Sequence, residues 1–559
     1  MDNHPAIPTQ ASPPEHPHVI DRSERRWVLF YAVLVMVATS VPYLVGYASQ
    51  GTAWRFTGFV FGVEDGNSYI AKMLSGASGA WLFRSPYTAE NQGGVIVYMP
   101  FLLLGKLASA PGMHEQLVAI FHLLRFLAGI YEILVIYQLL AFFIESLILR
   151  RVGLVLATLG GGLGWVLILM GRDQWLGSMP LEFYSPETFG FLGIYGLPHL
   201  ALARAGLMWG LLIYLRSLQD PGETKLSDSV RIGLIWLVVS FAQPLTALVL
   251  GFVLGLHSIS LVVWQGWRKF RFSDPNWYLV VKSIRLIGFG SVIPAPFIIY
   301  NVVIFSSDPF LKQWTAQNLI TSPHPLHYIL AYGLMIPFAF IGGKKLLQLQ
   351  SWGGWLIVGW VLAVPGLAYA PINVQRRLTE GVWVALVILA MKAFEYVGGE
   401  LPRRYLGRIL LLLLACLPSS LILMAGSFFA ALRPGPPLFR PVDEINAFEF
   451  ISSEGEVGDV ILASYKTGNA LPAWSPLVVL IGHGPESTGL SELQPKVERF
   501  YADEISDLER LSMIRAYDIS YVFRGPYEAA LGDWNPAQAD YLQPIYQSGG
   551  YEVYRVVQK

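Results

Sequence analysis

Two adjacent carboxylates lie in a polar segment that follows the first long apolar run. Glu64 and Asp65 precede a stretch rich in small and polar residues. At the mouth of a membrane cavity, such a pair could act as a general base for an acceptor hydroxyl or bind a divalent cation. The same residues could also form a solvated turn. Asp65 and Glu64 are therefore our candidate catalytic residues, with a divalent cation as a possible cofactor and the metal site unknown.

A pair of arginines lies in a short segment that precedes a late apolar run. Guanidinium groups suit bidentate binding of phosphate oxygens, so Arg376 and Arg377 are candidate substrate-binding residues. The alternative is that they anchor the next helix to lipid headgroups. Glu380, three residues after Arg377, could hold that arginine in place.

Two further polar segments carry candidate substrate-binding residues. Segment 172–190 contains Glu187 and leads to His199, which follows a proline at the start of an apolar run. A histidine at that position could bind a metal or a phosphate, or it could satisfy backbone groups. Segment 307–324 contains Lys312, and no pair of its residues has a recognisable metal-ligand spacing.

A membrane-embedded helical scaffold must position these residues. Of the 559 residues, 54% are hydrophobic and 14% are charged, whereas soluble domains carry about 25% charged residues. The 39 basic and 39 acidic side chains give a net charge of zero, so no overall charge favours nucleic acid as a partner. A helix needs about 20 apolar residues to span a bilayer. By that criterion we predict about eleven transmembrane helices, at 27–48, 115–145, 151–171, 191–216, 230–249, 250–268, 280–306, 325–343, 352–370, 380–398 and 406–431.

Basic residues in short connecting segments predict the orientation of these helices. The basic clusters, which include one at 268–271, alternate correctly only if the apolar segment 94–110 does not cross the membrane. That segment is short and is interrupted by Pro100. The resulting prediction is a multi-pass protein of the cell membrane with a disordered cytoplasmic tail at 1–26. A long loop at 49–114 then lies on the outer side, together with segments 172–190 and 307–324.

The pattern of the last part of the chain predicts a small soluble α/β domain. Short apolar runs at 459–465, 476–481, 519–524 and 551–557 alternate with charged stretches typical of helices. A proline-rich linker separates them from the last apolar run. We therefore predict a transmembrane domain at 27–432 and an extracytoplasmic α/β domain at 440–559.

This arrangement resembles the GT-C superfamily of membrane glycosyltransferases, which includes the protein O-mannosyltransferases and the bacterial aminoarabinose and arabinose transferases. The resemblance rests on Asp65, Tyr69, Met73 and Trp81 in the first outer loop, which match the family's acidic, Tyr and Gly-x-Trp pattern. It continues through the apolar segment that ends at 104–106, the late arginines before a Glu-Gly pair, and the C-terminal α/β domain. In that family the corresponding apolar segment does not cross the membrane.

The resemblance implies inverting transfer of a hexose or pentose from a polyprenyl-phosphate sugar. The acceptor would be a lipid, a glycan or a protein on the extracytoplasmic face, within reach of the membrane lipids. Carried over by position, Asp65 would be the base, with Glu64 as the nearby alternative, and Tyr69 would contact substrate. Arg376 and Arg377 would clamp the phosphate. The order Glu-Asp departs from the commoner Asp-Glu.

Two other classes of protein account for part of the pattern. A membrane transporter or lipid-handling protein also needs charged groups within a helical bundle, but it needs neither the acidic first loop nor an outer soluble domain. A non-catalytic GT-C-like assembly protein would tolerate the loss of Asp65 and Arg376. The sequence lacks the Gly-x-x-x-x-Gly-Lys-Ser/Thr phosphate-binding loop, which disfavours an ATP-driven pump.

Overall fold

A computed structural model describes residues 20–220, 222, 224–265, 277–398 and 403–557. Most of the predicted tail at 1–26 and the basic cluster at 268–271 therefore lie outside the described residues. The chain divides into two compact units. The first unit comprises 1–36, 127–298 and 321–423, and the second comprises 37–126, 299–320 and 424–559.

Helices dominate the chain as far as residue 431. In the described part of this region, one short strand, β1 (Trp54–Phe56), lies between the helices. In chain order the helices are α1 (Arg22–Ser49), α2 (Val63–Ala77), α3 (Met99–Gly105), α4 (Met113–Phe143), α5 (Leu147–Leu159), α6 (Gly164–Leu169), α7 (Phe191–Gly196), α8 (Pro198–Gln219), α9 (Leu226–Ala242), α10 (Pro244–Gln265), α11 (Tyr278–Ser291), α12 (Ala295–Ser307), α13 (Pro309–Gln317), α14 (Leu326–Tyr332), α15 (Ile336–Gln348), α16 (Trp352–Ala368), α17 (Val382–Gly398), α18 (Arg403–Cys416) and α19 (Pro418–Ala431).

Several of these helices are long and apolar enough to cross a bilayer. Within the described residues, five spans meet this criterion, in α1, α4, α8, α10 and residues 406–431. The bent pairs α11–α12 and α14–α15 bring the number to seven if each pair is one span, and α16 is a shorter apolar helix. Helices α5, α9 and α17 have 13, 17 and 17 residues, fewer than the roughly 20 that a straight span needs. The chain is a polytopic membrane protein, and the predicted count of eleven spans is not confirmed.

The boundary between the fifth and sixth predicted spans is displaced from the predicted position. We placed it at residues 249 and 250, but α9 ends at Ala242 and α10 begins at Pro244. Gln243 between them is extended, with φ −157°. Proline lacks an N–H and is favoured in the first turn of a helix, so Pro244 explains the earlier break within a continuous apolar stretch.

The C-terminal segment forms a mixed sheet with helices. Its elements are β2 (Phe439–Pro441), α20 (Val442–Glu454), β3 (Val460–Leu462), α21 (Tyr465–Ala470), β4 (Val478–Val479), α22 (Leu490–Tyr501), α23 (Asp507–Ala516), β5 (Ile519–Arg524), α24 (Pro526–Ala529), β6 (Leu542–Ser548) and β7 (Tyr551–Val556). The strand order is β4-β3-β5-β7-β6, and β1 pairs with β2 in a separate two-stranded sheet. Strand β3 runs parallel to β4 and β5, whereas β7 is antiparallel to both β5 and β6.

Four of the five sheet strands lie in the apolar runs that predicted them. The fifth, β6, was missed because its side chains are mostly exposed and it contains Pro544, so it has no apolar run. The limits of a separate outer domain at 440–559 stay a prediction. These residues belong to the second compact unit, together with 37–126 and 299–320.

The predicted outer loop at 49–114 is folded rather than irregular. Helix α2 buries Ile70, Met73 and Leu74, which recur at the i, i+3 and i+4 spacing of one helical face. They share a hydrophobic core with Phe448 and Trp474 of the C-terminal segment. Helix α3 has seven residues, too few to cross about 30 Å of hydrocarbon, which agrees with the prediction that segment 94–110 does not cross.

Helices α2 and α3 approach each other closely through two glycines. A Cβ atom added at Gly105 would lie 1.8 Å from the carbonyl oxygen of Met73, and one added at Gly76 would lie 2.0 Å from that of Leu102. Both obstacles are backbone atoms, which cannot rotate away. The contact therefore requires the absence of a side chain at both positions.

We expect Gly105→Ala to destabilise the protein by about 1–3 kcal/mol, because the added methyl group pushes α3 away from α2. The matched control is Gly426→Ala in α19, where an added Cβ meets no atom within 4 Å. Alanine favours the helix over glycine, so the control should be neutral or slightly stabilising. Thermal unfolding of the purified variants in detergent measures both effects. Equal unfolding temperatures for the two variants would contradict the proposed close approach.

Candidate functional site

The two candidate catalytic carboxylates lie in the first turn of α2, not in a loop. Gly62 precedes the helix in a left-handed conformation, with φ 57°, and supplies no side-chain cap. Carboxylates are stabilised near a helix N-terminus by the exposed N–H groups. The Asp65 side chain is 57% exposed, so its carboxylate lies at the surface of the second unit, accessible to a ligand.

A histidine from the C-terminal segment binds Asp65. The His483 Nε2 atom lies 3.2 Å from Asp65 Oδ1. A carboxylate oxygen only accepts hydrogen bonds, so Nε2 is the donor in this contact. The His483 side chain is only 12% exposed, which fixes the direction from which it meets the carboxylate.

The turn that carries His483 is held by hydrogen bonds to a serine side chain and by a close backbone contact. Ser487 Oγ accepts hydrogen bonds from the N–H groups of Gly482 and His483, at 3.0 and 3.1 Å. A Cβ added at Gly482 would lie 2.4 Å from the backbone of Gly468, and one added at Gly468 would lie 2.1 Å from the Ile481 carbonyl oxygen. This backbone contact leaves little freedom to the position of the histidine.

A buried ion pair lies directly behind the histidine. Lys72 Nζ on α2 lies 2.7 Å from Glu486 Oε1, and the two side chains are 1% and 4% exposed. Ser68 donates to the same carboxylate oxygen at 2.8 Å and also accepts from Lys72. The ammonium group lies 4.5 Å from the centre of the Tyr98 ring. His483 Nδ1 lies 3.5 Å from Glu486 Oε1, so the imidazole has a carboxylate on each side.

The surroundings of Glu486 favour its charged form. Burial by itself would raise the pKa of this carboxyl, but Lys72, His483 and Ser68 together hold its pKa below the usual value. An ionised carboxylate in an apolar interior must be paired and hydrogen-bonded. The lysine and the serine supply that pairing.

Hydrogen bonds also connect Glu64 to the C-terminal segment. The Tyr465 hydroxyl lies 3.5 Å from Glu64 Oε2, and Asn469 Nδ2 donates to the Glu64 carbonyl oxygen at 3.4 Å. Asn67 donates to the side chain of Asn469 at 2.8 Å. The first turn of α2 is therefore fixed by residues about 400 positions later in the chain.

The other two candidate residues of the second unit have different surroundings. Tyr69 is half-buried and stacks on Phe101 with ring centroids 4.7 Å apart, so its ring fills the core beside α2. Lys312 is exposed on α13. On the same helix, Gln317 donates to the Ser487 carbonyl oxygen at 2.9 Å and accepts from Gly489 at 2.8 Å. The substrate-binding roles of Tyr69 and Lys312 stay predictions.

In the first unit, the two candidate arginines lie in a 3₁₀ turn, Gln375–Thr379, before α17. Arg377 Nε lies 3.2 Å from Glu187 Oε1, and its side chain is 28% exposed. The Arg376 guanidinium lies 4.5 Å from the ring centre of Tyr184. The structure thus brings together Glu187 and Arg377, two of the residues selected from the sequence.

Glu380 pairs with Arg204 rather than with Arg377, its expected partner. Glu380 is fully buried and binds Arg204 of α8, which also contacts Glu132 at 3.3 Å and the Pro186 carbonyl oxygen at 2.5 Å. This network connects the turn that carries the arginines to the segment that carries Glu187. His199 is half-buried in the first turn of α8.

Sequence reasoning missed Lys72, His483, Glu486 and Arg204. Lys72 was visible as a charged residue within the apolar face of a helix, and Arg204 as a lone arginine within a predicted span; both positions usually require a partner. His483 and Glu486 had no such signal. Among the described residues, no group of three or more His, Cys, Asp or Glu side chains could hold a metal ion.

No protein-family model matches the sequence, and no curated protein matches it significantly. Solved structures do match. The Archaeoglobus fulgidus oligosaccharyltransferase tethered with an acceptor peptide aligns with 96% of this chain and 74% of its own, at 14% identity and TM-score 0.55. The AglB oligosaccharyltransferase of the same organism, in complex with an inhibitory peptide and a dolichol-phosphate, aligns over the same shares at 12% identity and TM-score 0.53.

A bacterial enzyme gives a weaker match. Apo ArnT from Cupriavidus metallidurans aligns with 95% of this chain and 98% of its own, at 12% identity and TM-score 0.49. That score is too low to support an argument. The fold assignment therefore rests on the archaeal enzyme, whose alignment covers 96% of this chain.

Proposed function

We propose that this chain, which has the fold of the GT-C membrane glycosyltransferases, transfers a sugar from a polyprenyl-phosphate carrier to an acceptor on the extracytoplasmic face. The observation that carries the proposal is the Asp65 carboxylate, which is exposed at the start of α2 and held from behind by His483. A carboxylate that is both accessible and fixed in direction suits a general base.

The reaction that fits these groups is a single displacement with inversion. An acceptor hydroxyl oxygen attacks the anomeric carbon, the bond from that carbon to the phosphate oxygen breaks, and its electron pair stays with the polyprenyl phosphate. Asp65 takes the proton of the hydroxyl group, with Glu64 as the alternative base. The transferred sugar is a hexose or a pentose, and the acceptor is a lipid, a glycan or a protein.

In this proposal Arg376 and Arg377 bind the phosphate of the donor. Negative charge on that phosphate increases as the sugar leaves, and fixed cations stabilise it in the transition state. Glu187 supports the role of Arg377 because its Oε1 atom lies 3.2 Å from Nε and so restricts the position of the guanidinium group. The dolichol-phosphate bound by the archaeal oligosaccharyltransferase supports this class of donor.

A donor panel tests the proposed reaction. Purified full-length protein in detergent is mixed with a membrane extract and with undecaprenyl-phosphate glucose, mannose or arabinose in turn. We expect release of undecaprenyl phosphate with at least one of these donors, together with incorporation of the labelled sugar into the extract. The absence of release with all three donors would contradict the proposed function.

Arg377→Lys should raise the KM for the donor about tenfold and also lower the rate, because lysine keeps the charge but loses the planar, bidentate group. Arg172→Lys is the matched control, since Arg172 is exposed in segment 172–190. Initial rates at varied donor concentration measure both parameters. An unchanged KM in Arg377→Lys would remove Arg377 from the phosphate site.

A further inference from the structure

The side chains around Asp65 form a row that runs from the buried core to the surface. Lys72 and Glu486 are buried, His483 is mostly buried, and Asp65 is exposed. The contacts along the row are 2.7 Å, 3.5 Å and 3.2 Å. Each member therefore restricts the next one, and only the last member is accessible to an acceptor.

The histidine in this row can set the direction of the Asp65 carboxylate. Aspartate on a helix surface can adopt several rotamers, and a general base must lie within hydrogen-bond reach of the proton that it removes. The Nε2–H group of His483 donates to one of those rotamers and thereby selects it. The histidine is itself held in place by Ser487 and by the glycine contact.

We propose that His483 is a positioning residue, which holds the Asp65 carboxylate in its reactive orientation and is itself held by the buried Lys72–Glu486 pair. This inference rests on the proposed function, in which Asp65 is the base. His483 takes no proton from the acceptor in this scheme. It belongs to the C-terminal segment, so that segment completes the catalytic group of the first outer loop.

Two arms test the inference, and the first does not depend on sugar transfer. The titratable groups that face His483 are Asp65 of α2, Glu486 of its own turn and Tyr87, whose ring centre is 5.5 Å away. Further charged or titratable groups adjoin these: Glu64, Tyr465 and Lys72.

In the first arm, diethyl pyrocarbonate modifies the histidines of the full-length protein at one fixed pH, and peptide mass spectrometry follows the rate of modification at His483. The Asp65 carboxylate lies 3.2 Å from Nε2 and covers that nitrogen. Asp65→Ala removes the carboxylate and should raise the modification rate of His483 several-fold. An unchanged rate would overturn the contact.

The second arm measures turnover with the donor panel described above. His483→Leu removes the hydrogen-bond donor and should lower kcat by about 10- to 100-fold with the donor KM unchanged. His483→Gln keeps an N–H group near Nε2 and should recover most of the rate. His324→Leu is the control, since His324 is exposed.

The outcomes separate the two proposals. Equal losses of kcat in His483→Leu and His483→Gln would reduce His483 to a structural residue and overturn the positioning role. Wild-type protein that transfers no sugar from any donor would instead reject the proposed function. In that case faster modification of His483 in Asp65→Ala would show the contact alone, and the catalytic positioning role would fall with the function.

Discussion

Replacing Asp65 with asparagine is expected to lower kcat by about two to four orders of magnitude, the range that general base catalysis contributes. Asparagine has nearly the same shape as aspartate but has no useful affinity for a proton. Binding of the donor should be retained, because the substitution does not touch the arginines that are proposed to bind the phosphate. The substitution thus distinguishes a slower chemical step from weaker binding of the donor.

Two variants accompany that measurement. Glu64→Gln tests the alternative base in the same turn, and Asp173→Asn is an exposed control in segment 172–190. Single-turnover rates and equilibrium binding of undecaprenyl phosphate are measured on all three variants. Wild-type transfer by Asp65→Asn would rule out Asp65 as the base, and a large loss in Glu64→Gln would then assign the role to Glu64.

Breaking the buried ion pair behind the site should have the largest effect on stability. Lys72→Met leaves the Glu486 carboxylate charged in an apolar interior without its main partner, and removing one member of a buried pair costs about 3–5 kcal/mol. The double variant Lys72→Met/Glu486→Leu removes both charges. It should recover a large part of that loss, because apolar replacements for a buried pair are often neutral.

Chemical denaturation of the single and double variants gives the coupling energy between the two residues. The pH dependence provides a second check. Since the folded protein holds the pKa of Glu486 below its usual value, this carboxyl stabilises the fold above the usual carboxyl range, and its contribution disappears as pH falls through the folded pKa. If Lys72→Met lowers the free energy of unfolding by less than about 1 kcal/mol, the pair behaves instead like one exposed to solvent.

Local patterns in the sequence predicted the elements whose own residues determine them. The strand Ile519–Arg524 has a buried apolar run of the expected length, and Asp65 was selected because adjacent carboxylates are chemically informative. The same reasoning placed Asp65 in a loop, because the small and polar residues around it obscured the buried face of α2. Strand β6 was missed for the related reason that its residues are mostly exposed.

Local sequence patterns do not predict which residues contact the candidate residues. Glu187 and Arg377 were selected separately, and no local pattern indicates that they contact each other. His483 and Glu486 lie in a short glycine-rich turn without regular periodicity. Their importance follows from tertiary contacts, which no spacing rule on one strand or helix can supply.

The ion pair between Lys72 and Glu486 joins residues 414 positions apart, and this separation affects how the protein can be made. Helix α2 is synthesised well before the carboxylate that neutralises its buried lysine. Contacts of such long range form late, and incomplete chains expose the surfaces that those contacts later cover. A ribosome-bound chain that ends before residue 486 therefore carries an unneutralised Lys72 and an unsupported Asp65. Biosynthesis thus delays the native packing of α2 until residue 486 has been synthesised.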